Sequence, residues 1–162
     1  MPPVFTDSCF LIGLADRNDQ YHGRAEEVMG EFRKRSLGFE SFVLTDFMAV
    51  EVFHRLQDKV GYDRAKEYHR KVTLECKIYP VTRQTIDKAI SAKLAPFVSA
   101  RRASPPIGLA DATNLVVMDS HNIRRIASFD GGYDRYSNVR RIHDGDSARN
   151  ALDLLARFQR KR

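Results

Sequence analysis

The chain has 162 residues, of which 43% are hydrophobic and 30% charged, and its formal net charge is +6 at pH 7. This length and composition fit one globular domain that buries its own core, and they exclude collagen-like, low-complexity and largely disordered proteins. The longest apolar stretch, residues 9–15, is too short to span a bilayer. The two cysteines, Cys9 and Cys76, form neither a CxxC motif nor a disulfide framework. We therefore expect a reducing, cytoplasmic setting without a secretory signal.

The positive charge is concentrated in the last quarter of the chain. Residues 121–162 contain ten basic and five acidic side chains, whereas residues 1–120 contain 17 basic and 16 acidic ones. A basic face attracts polyanions such as nucleic acid, without any sequence specificity. A solvated surface with a basic tail explains the same composition, so charge alone leaves both interpretations open.

Short apolar runs alternate with helical patterns along the chain, which predicts a parallel sheet covered by helices. Ligands of such sheets bind at the carboxyl ends of the strands. Asp7 closes the first predicted strand and Asp130 the fourth, so we expect both acids on the same rim of the sheet. Residues 95–107 are predicted to form a loop. The predicted strands are residues 4–6, 42–44, 76–81, 125–129 and 139–142. The first predicted helix begins at Asp7 or Ser8, and the last is capped by Asp146 or Ser147. The other predicted helices are residues 21–35, 45–59, 62–72, 82–94 and 108–121.

Several widespread catalytic signatures are absent from the sequence. It contains no GxxxxGK[ST], GxGxxG, GxSxG or HExxH motif, and its five histidines show no ligand spacing. Cys9 has no adjacent group that would activate it as a nucleophile. A haloacid-type phosphatase would carry a second acid at the position of Cys9.

Four acids stand out because apolar residues surround them: Asp7, Glu51, Asp111 and Asp130. Each has an ordinary structural explanation: a helix cap, a surface ion pair with Arg55 one turn later, a favourable helix dipole, and a turn. As a set they indicate more, because a carboxylate in apolar surroundings needs a partner. A hard divalent cation such as Mg²⁺ or Mn²⁺ is a partner that carboxylates share.

The order and surroundings of these acids resemble the PIN-domain ribonucleases, in particular the VapC-type toxins of toxin–antitoxin pairs. Residues 19–25 match a further segment of that family, and the resemblance extends over residues 4–142. Many relatives carry another acid two residues after the fourth aspartate, where this chain has Gly132. The resemblance rests on Thr6-Asp7-Ser8, on 44–56 around Glu51, on Leu109-Ala110-Asp111-Ala112, and on Ser128-Phe129-Asp130 followed by 133–136 and 139–142.

This resemblance implies a PIN-like α/β fold, with a short, mainly parallel central sheet of four to five strands and helices on both faces. It places the nuclease domain at residues 1–146, with a C-terminal helix and basic tail at 147–162 as part of the same domain. The implied activity is Mg²⁺- or Mn²⁺-dependent hydrolysis of RNA phosphodiester bonds. The implied partners are RNA, a small antitoxin protein and a second copy of the chain, with no membrane involved.

The resemblance also assigns roles to individual residues. Two alternatives remain open beside it: a PIN-fold scaffold that binds RNA or protein without turnover, and a phosphatase-like or receiver-like domain phosphorylated on Asp7. The implied catalytic metal ligands are Asp7, Glu51, Asp111 and Asp130, with Glu51 either binding the metal or orienting the attacking water. By their positions, Thr6, Ser8 and Asn114 are candidate supporting polar groups, although Asn114 also fits an ordinary polar residue of a helix. Arg101, Arg102 and Arg135 are candidate RNA-backbone contacts, and a solvated loop is the alternative for Arg101 and Arg102.

Overall fold

The computed structural model describes residues 3–101 and 104–159, the side chains of 99–101 and 155–159 excepted. A π-helical segment, Ala89–Leu94, joins the fifth and sixth helices, and short 3₁₀ turns lie at Phe39–Ser41 and Gly131–Arg135. The strands are β1 Val4–Thr6, β2 Phe42–Thr45, β3 Lys77–Tyr79, β4 Arg125–Ala127 and β5 Arg140–Ile142. The helices are α1 Ser8–Ala15, α2 His22–Arg33, α3 Asp46–Val60, α4 Tyr62–Glu75, α5 Arg83–Lys88, α6 Ala95–Arg101, α7 Leu109–Ser120 and α8 Gly145–Gln159.

The strands form one all-parallel sheet in the order β3-β2-β1-β4-β5. Strands β2 and β3 lie on one side of β1, and β4 and β5, which follow later in the chain, lie on its other side. The carboxyl ends of β1 and β4 therefore flank the point where the strand order reverses, which is where open parallel sheets bind their ligands.

Alternate strand residues face opposite sides of the sheet and belong to two separate cores. Val4 and Leu44 pack in the cluster that includes residues of α1, α2 and α3, whereas Phe5 and Ile126 pack in the cluster that includes α7. All four are buried. The predicted fold class, a parallel α/β sheet with helices on both faces, is thus confirmed. Within the parts of the chain that the structure describes, no helix is long and apolar enough to cross a membrane.

The prediction of a loop over residues 95–107 was wrong at its start, because residues 95–101 form α6. Pro96 lies in the first turn of α6, where its missing N–H does not break the helix. Its ring is incompatible with a regular i−4 hydrogen bond, and the π-helical segment directly precedes it.

The predicted cap of the last helix was also wrong, because Asp144 caps α8 instead of Asp146 or Ser147. The Ser147 backbone N–H donates to Oδ1 of Asp144 at 2.7 Å, and the Asp144 N–H donates to Oγ of Ser147 at 3.1 Å. This reciprocal pair satisfies two backbone donors at the helix start. Ala148 and Leu152 of α8 then pack into the core that includes residues of α2.

Candidate functional site

Asp7 lies between β1 and α1 with both of its carboxylate oxygens bonded. It is 3% exposed, and its Oδ1 accepts the Ser8 backbone N–H at 2.7 Å, as expected of a helix cap. Its Oδ2 accepts the Ser128 hydroxyl at 2.7 Å and the Cys9 thiol at 2.9 Å. Because Ser128 follows β4, these bonds hold the carboxyl ends of β1 and β4 together.

Glu51 reaches the same place from α3. The Ser8 hydroxyl donates to Oε1 of Glu51 at 2.9 Å. Arg55, one turn further along α3, lies 3.3 Å from the same oxygen and 3.4 Å from the Ser8 hydroxyl. The ion pair considered from the sequence is therefore present. It lies beside the carboxylate cluster, which consists of Asp7, Glu51 and Asp111.

Asp111 approaches from the first turn of α7 and is held by a chain of polar groups. Its Oδ1 accepts the Tyr133 hydroxyl at 3.2 Å, and its Oδ2 accepts the Gly108 backbone N–H at 3.3 Å. The Asn114 amide donates to the Tyr133 oxygen at 3.2 Å and accepts the Thr45 hydroxyl at 3.0 Å. This chain connects the end of β2, helix α7 and the turn after β4.

Asp130 begins the turn after β4, and its side chain forms a hydrogen bond within that turn. Its Oδ1 accepts the Gly132 N–H at 2.7 Å, while its own N–H donates to the Ser128 hydroxyl at 3.0 Å. Ser128 therefore connects Asp130 to the Asp7 carboxylate through one intervening hydroxyl.

The position where relatives carry a further acid is closed to any side chain. A Cβ atom on Gly132 would lie 2.2 Å from the carbonyl oxygen of Pro106. The next acid, Asp134, is bound by the Arg141 guanidinium at 3.0 and 2.7 Å. This bond holds the pKa of Asp134 below its ordinary value.

The carboxyl groups of Asp7, Glu51 and Asp111 interact electrostatically. Burial raises the pKa of Asp111 to about 7, and repulsion from Asp7 and Glu51 adds to the effect. Burial also raises the pKa of Asp7, against its hydrogen bonds, and Glu51 adds to that rise. Among the described side chains, Arg55 is the one cation bonded to any of these three acids.

The donor set fits a divalent cation that keeps much of its water. The three acids carry an excess of negative charge that a divalent cation would neutralise. Within residues 3–101 and 104–159, no three His, Cys, Asp or Glu side chains converge closely enough to enclose a metal ion on their own. Mg²⁺ suits both the excess negative charge and the small number of protein ligands, because proteins bind it through one or two carboxylates and leave several water ligands in place.

The other residues singled out in the sequence lie in different settings. Thr6 donates its hydroxyl to the Val43 carbonyl at 3.3 Å, so it braces β1 against β2. Arg135 is exposed on the 3₁₀ turn after Asp130. Arg101 is described by its backbone alone, and Arg102 lies outside the described residues.

The contacts of Cys9 weigh against its acting as a nucleophile. Burial raises the pKa of the Cys9 thiol far above its ordinary value, so the thiol stays protonated and donates to Asp7.

Sequence reasoning placed Ser128 and Tyr133 in the fourth motif, around Asp130, but gave neither a role in holding the acids. Ser128 follows a strand adjacent to β1, and the strand order would have identified its contact with Asp7. The partner of Tyr133, Asp111, lies 22 residues away in the sequence, so no local pattern links the two.

No family model matches the sequence, and no curated protein matches it either. Solved structures share its fold, and two of them are described next. The VapC20 toxin of Mycobacterium tuberculosis, described as cleaving the Sarcin-Ricin loop, is 18% identical with a TM-score of 0.65, over 83% of this chain and 95% of that chain. VapBC2 of Rickettsia felis, bound to a DNA fragment from its promoter, is 7% identical with a TM-score of 0.60, over 86% of this chain and 96% of that one.

The chain has the PIN fold of the VapC toxins. At these identities the fold is what the three proteins share. In the VapC fold of this chain, the acids at the carboxyl end of the sheet come from three separate elements: the β1–α1 junction, α3 and α7.

Proposed function

We propose that this protein is a divalent-metal-dependent endoribonuclease. The observation that carries the proposal is the electrostatic repulsion among Asp7, Glu51 and Asp111 at the carboxyl end of the sheet, with Arg55 as their one bonded cation among the described residues. Two of these acids have raised pKa values, which is characteristic of sites arranged for chemistry.

Asp7, Asp111 and Asp130 would hold Mg²⁺ or Mn²⁺, and Glu51 would bind the cation or orient the attacking water. The bound cation lowers the pKa of water and stabilises the charge that develops on the phosphate. Ser8 fixes the Glu51 carboxylate, and Ser128 fixes that of Asp7.

The remaining polar groups support the acids or the substrate. Tyr133 and Asn114 fix the orientation of Asp111, and such supporting bonds commonly set metal affinity. Arg135, together with Arg101 and Arg102, would contact the RNA backbone.

We further propose that the protein is the cytoplasmic toxin of a toxin–antitoxin pair, with a small antitoxin as partner and a homodimer as its own state. The VapC fold supports this, and one of the structures that share the fold is a VapBC complex. Light scattering after gel filtration tests the dimer, and a strict monomer at micromolar concentration would contradict it.

Cleavage of a structured RNA pool tests the enzymatic proposal. We expect discrete cuts in Mg²⁺ or Mn²⁺ that disappear when a chelator is added. Cutting that persists in chelator would contradict metal dependence and indicate a contaminating nuclease.

A catalytically weak PIN-fold scaffold is the second candidate. It is favoured by the closed position at Gly132 and by the lack of three convergent metal-binding side chains in the described part of the chain. Calorimetric Mg²⁺ binding, with RNA bound but never cut, would support the scaffold over the enzyme.

A further inference from the structure

Two arginines face each other across the last two strands, and no Asp or Glu in the described part of the chain pairs with either of them. Arg125 opens β4, Arg140 opens β5, and they are register partners. Paired residues of neighbouring strands point to the same face of the sheet, so these two side chains lie side by side. Arg125 is partly buried and Arg140 is exposed.

The neighbouring arginines in sequence each form an ion pair with an aspartate, whereas Arg125 and Arg140 form none within the described part of the chain. Arg124 bonds Asp119 at 3.3 Å, and Arg141 bonds Asp134 at 2.7 Å. Among the described residues, no Asp or Glu forms an ion pair with Arg125 or Arg140.

The pair borders a cavity of about 210 Å³ between the edge of the sheet and α8. Asn150 and Leu154 of α8 also line it. The cavity is large compared with the roughly 30 Å³ that a water molecule occupies in the liquid, and it has room for a phosphate group. Asn150 and both arginines of the pair thus line one cavity, together with Arg141, which is bonded to Asp134.

An anion in the cavity would stabilise this arrangement. Like charges directly opposite on neighbouring strands repel each other, and a partly buried charge needs a partner. Burial lowers the pKa of Arg125, and the adjacent Arg140 lowers it further. A guanidinium presents two parallel N–H groups that match the oxygens of a phosphate, so one phosphate satisfies two neighbouring arginines.

We propose that Arg125 and Arg140 form a binding site for a backbone phosphate of RNA, separate from the carboxylate cluster. The choice of RNA rests on the proposed function, whereas the phosphate chemistry rests on the pair itself. Arg125 and Arg140 open their parallel strands, so they lie at the opposite end of β4 from Asp130. Arg125 precedes Asp130 by five residues, which an extended chain spans in at most about 17 Å.

Binding of a fluorescent single-stranded RNA to the full chain in chelator tests the proposal, because cleavage is not needed for the readout. We expect R125Q and R140Q each to weaken binding and to lower the slope of log affinity against log salt by about one. R125K and R140K keep the charge without the paired N–H groups and should retain part of the affinity. R83Q is the matched control, because Arg83 is 96% exposed on α5.

Thermal unfolding with inorganic phosphate gives an independent measurement. In phosphate-free buffer R140Q should unfold at a higher temperature than the wild type, because the substitution removes the repulsion. The phosphate-dependent rise in Tm should be larger for the wild type and R83Q than for R140Q. Equal RNA affinities and salt slopes for R125Q, R140Q and R83Q would overturn the proposal. A phosphate effect without any RNA effect would overturn the assignment to RNA.

Discussion

The Tyr133 hydroxyl donates a hydrogen bond to Oδ1 of Asp111 at 3.2 Å, joining the turn after β4 to the first turn of α7. Tyr133 is fully buried, and its oxygen in turn accepts the Asn114 amide. The bond therefore restricts the rotation of the Asp111 carboxylate from inside the protein.

Y133F should weaken metal use while leaving the fold intact, because it removes the hydroxyl but keeps the ring. Loss of such a bond to a metal ligand typically lowers metal affinity by about 10- to 100-fold. The measurement is the Mg²⁺ concentration that gives half-maximal RNA cleavage.

Y136F is the control for that substitution, since the Tyr136 hydroxyl donates to the Lys93 carbonyl at 3.0 Å rather than to an acid. An unchanged Mg²⁺ requirement in Y133F would show that this bond does not position Asp111 for the metal.

The raised pKa of Asp111 predicts how stability depends on pH without metal. Between pH 4 and about 7 the native carboxyl binds its proton more tightly than the unfolded one, so its contribution to stability falls as pH rises. D111N has no proton to lose at this position. Its Tm should match that of the wild type near pH 4 and exceed it by several degrees above pH 7.

The size of this difference follows from general values. One pKa unit corresponds to about 1.4 kcal/mol, and about 1 kcal/mol shifts Tm by 2–4 °C in a domain of this size. Solvent screening reduces the full effect because Asp111 is only partly buried. Adding Mg²⁺ at pH 8 should raise the Tm of the wild type more than that of D111N. A Tm difference that does not vary with pH would contradict the coupling among the three acids.

G132A should destabilise the protein without creating activity, because its Cβ would lie 2.2 Å from the Pro106 carbonyl oxygen. Overpacking of this kind costs about 1–3 kcal/mol, which urea unfolding detects readily. G131A is the matched control, since a Cβ on Gly131 would meet nothing nearer than 3.9 Å. Equal stability of the two variants would show that the Pro106 segment moves aside freely.

S128A should lower both stability and activity, because the Ser128 hydroxyl donates to the Asp7 carboxylate and also accepts the Asp130 backbone N–H. Leaving buried polar partners unsatisfied costs about 1–3 kcal/mol. S120A removes a hydroxyl that only bonds the Val116 carbonyl within α7, and it serves as the comparison in unfolding and cleavage assays. Wild-type cleavage by S128A would mean that Asp7 is held adequately without this bond.

The main elements of the fold were predictable because their signals are local. Apolar runs such as Phe42–Thr45 and the capping residue Thr45 mark a strand and the start of a helix within a few residues. The helix at residues 95–101 was missed because Pro96 within it and Pro105 and Pro106 shortly after it are typical of loops.

The candidate site was only partly predictable for the same reason. Asp7, Glu51 and Asp111 stand out as acids in apolar sequence, and the structure brings them close enough to interact. The bonds that orient them join Ser128 to Asp7 and Tyr133 to Asp111 across the sheet, so no local pattern encodes them. The closure of position 132 likewise depends on Pro106, a residue from a distant segment.

Cleavage of a structured RNA pool by the wild type and D7N, prepared identically and assayed in Mg²⁺, tests the central claim most directly. D63N on helix α4 is the matched control, because Asp63 is exposed and lies outside the carboxylate cluster. We predict discrete cuts by the wild type and D63N and none by D7N. Equal cutting by all three proteins would contradict the assignment of the carboxylate cluster as a nuclease site.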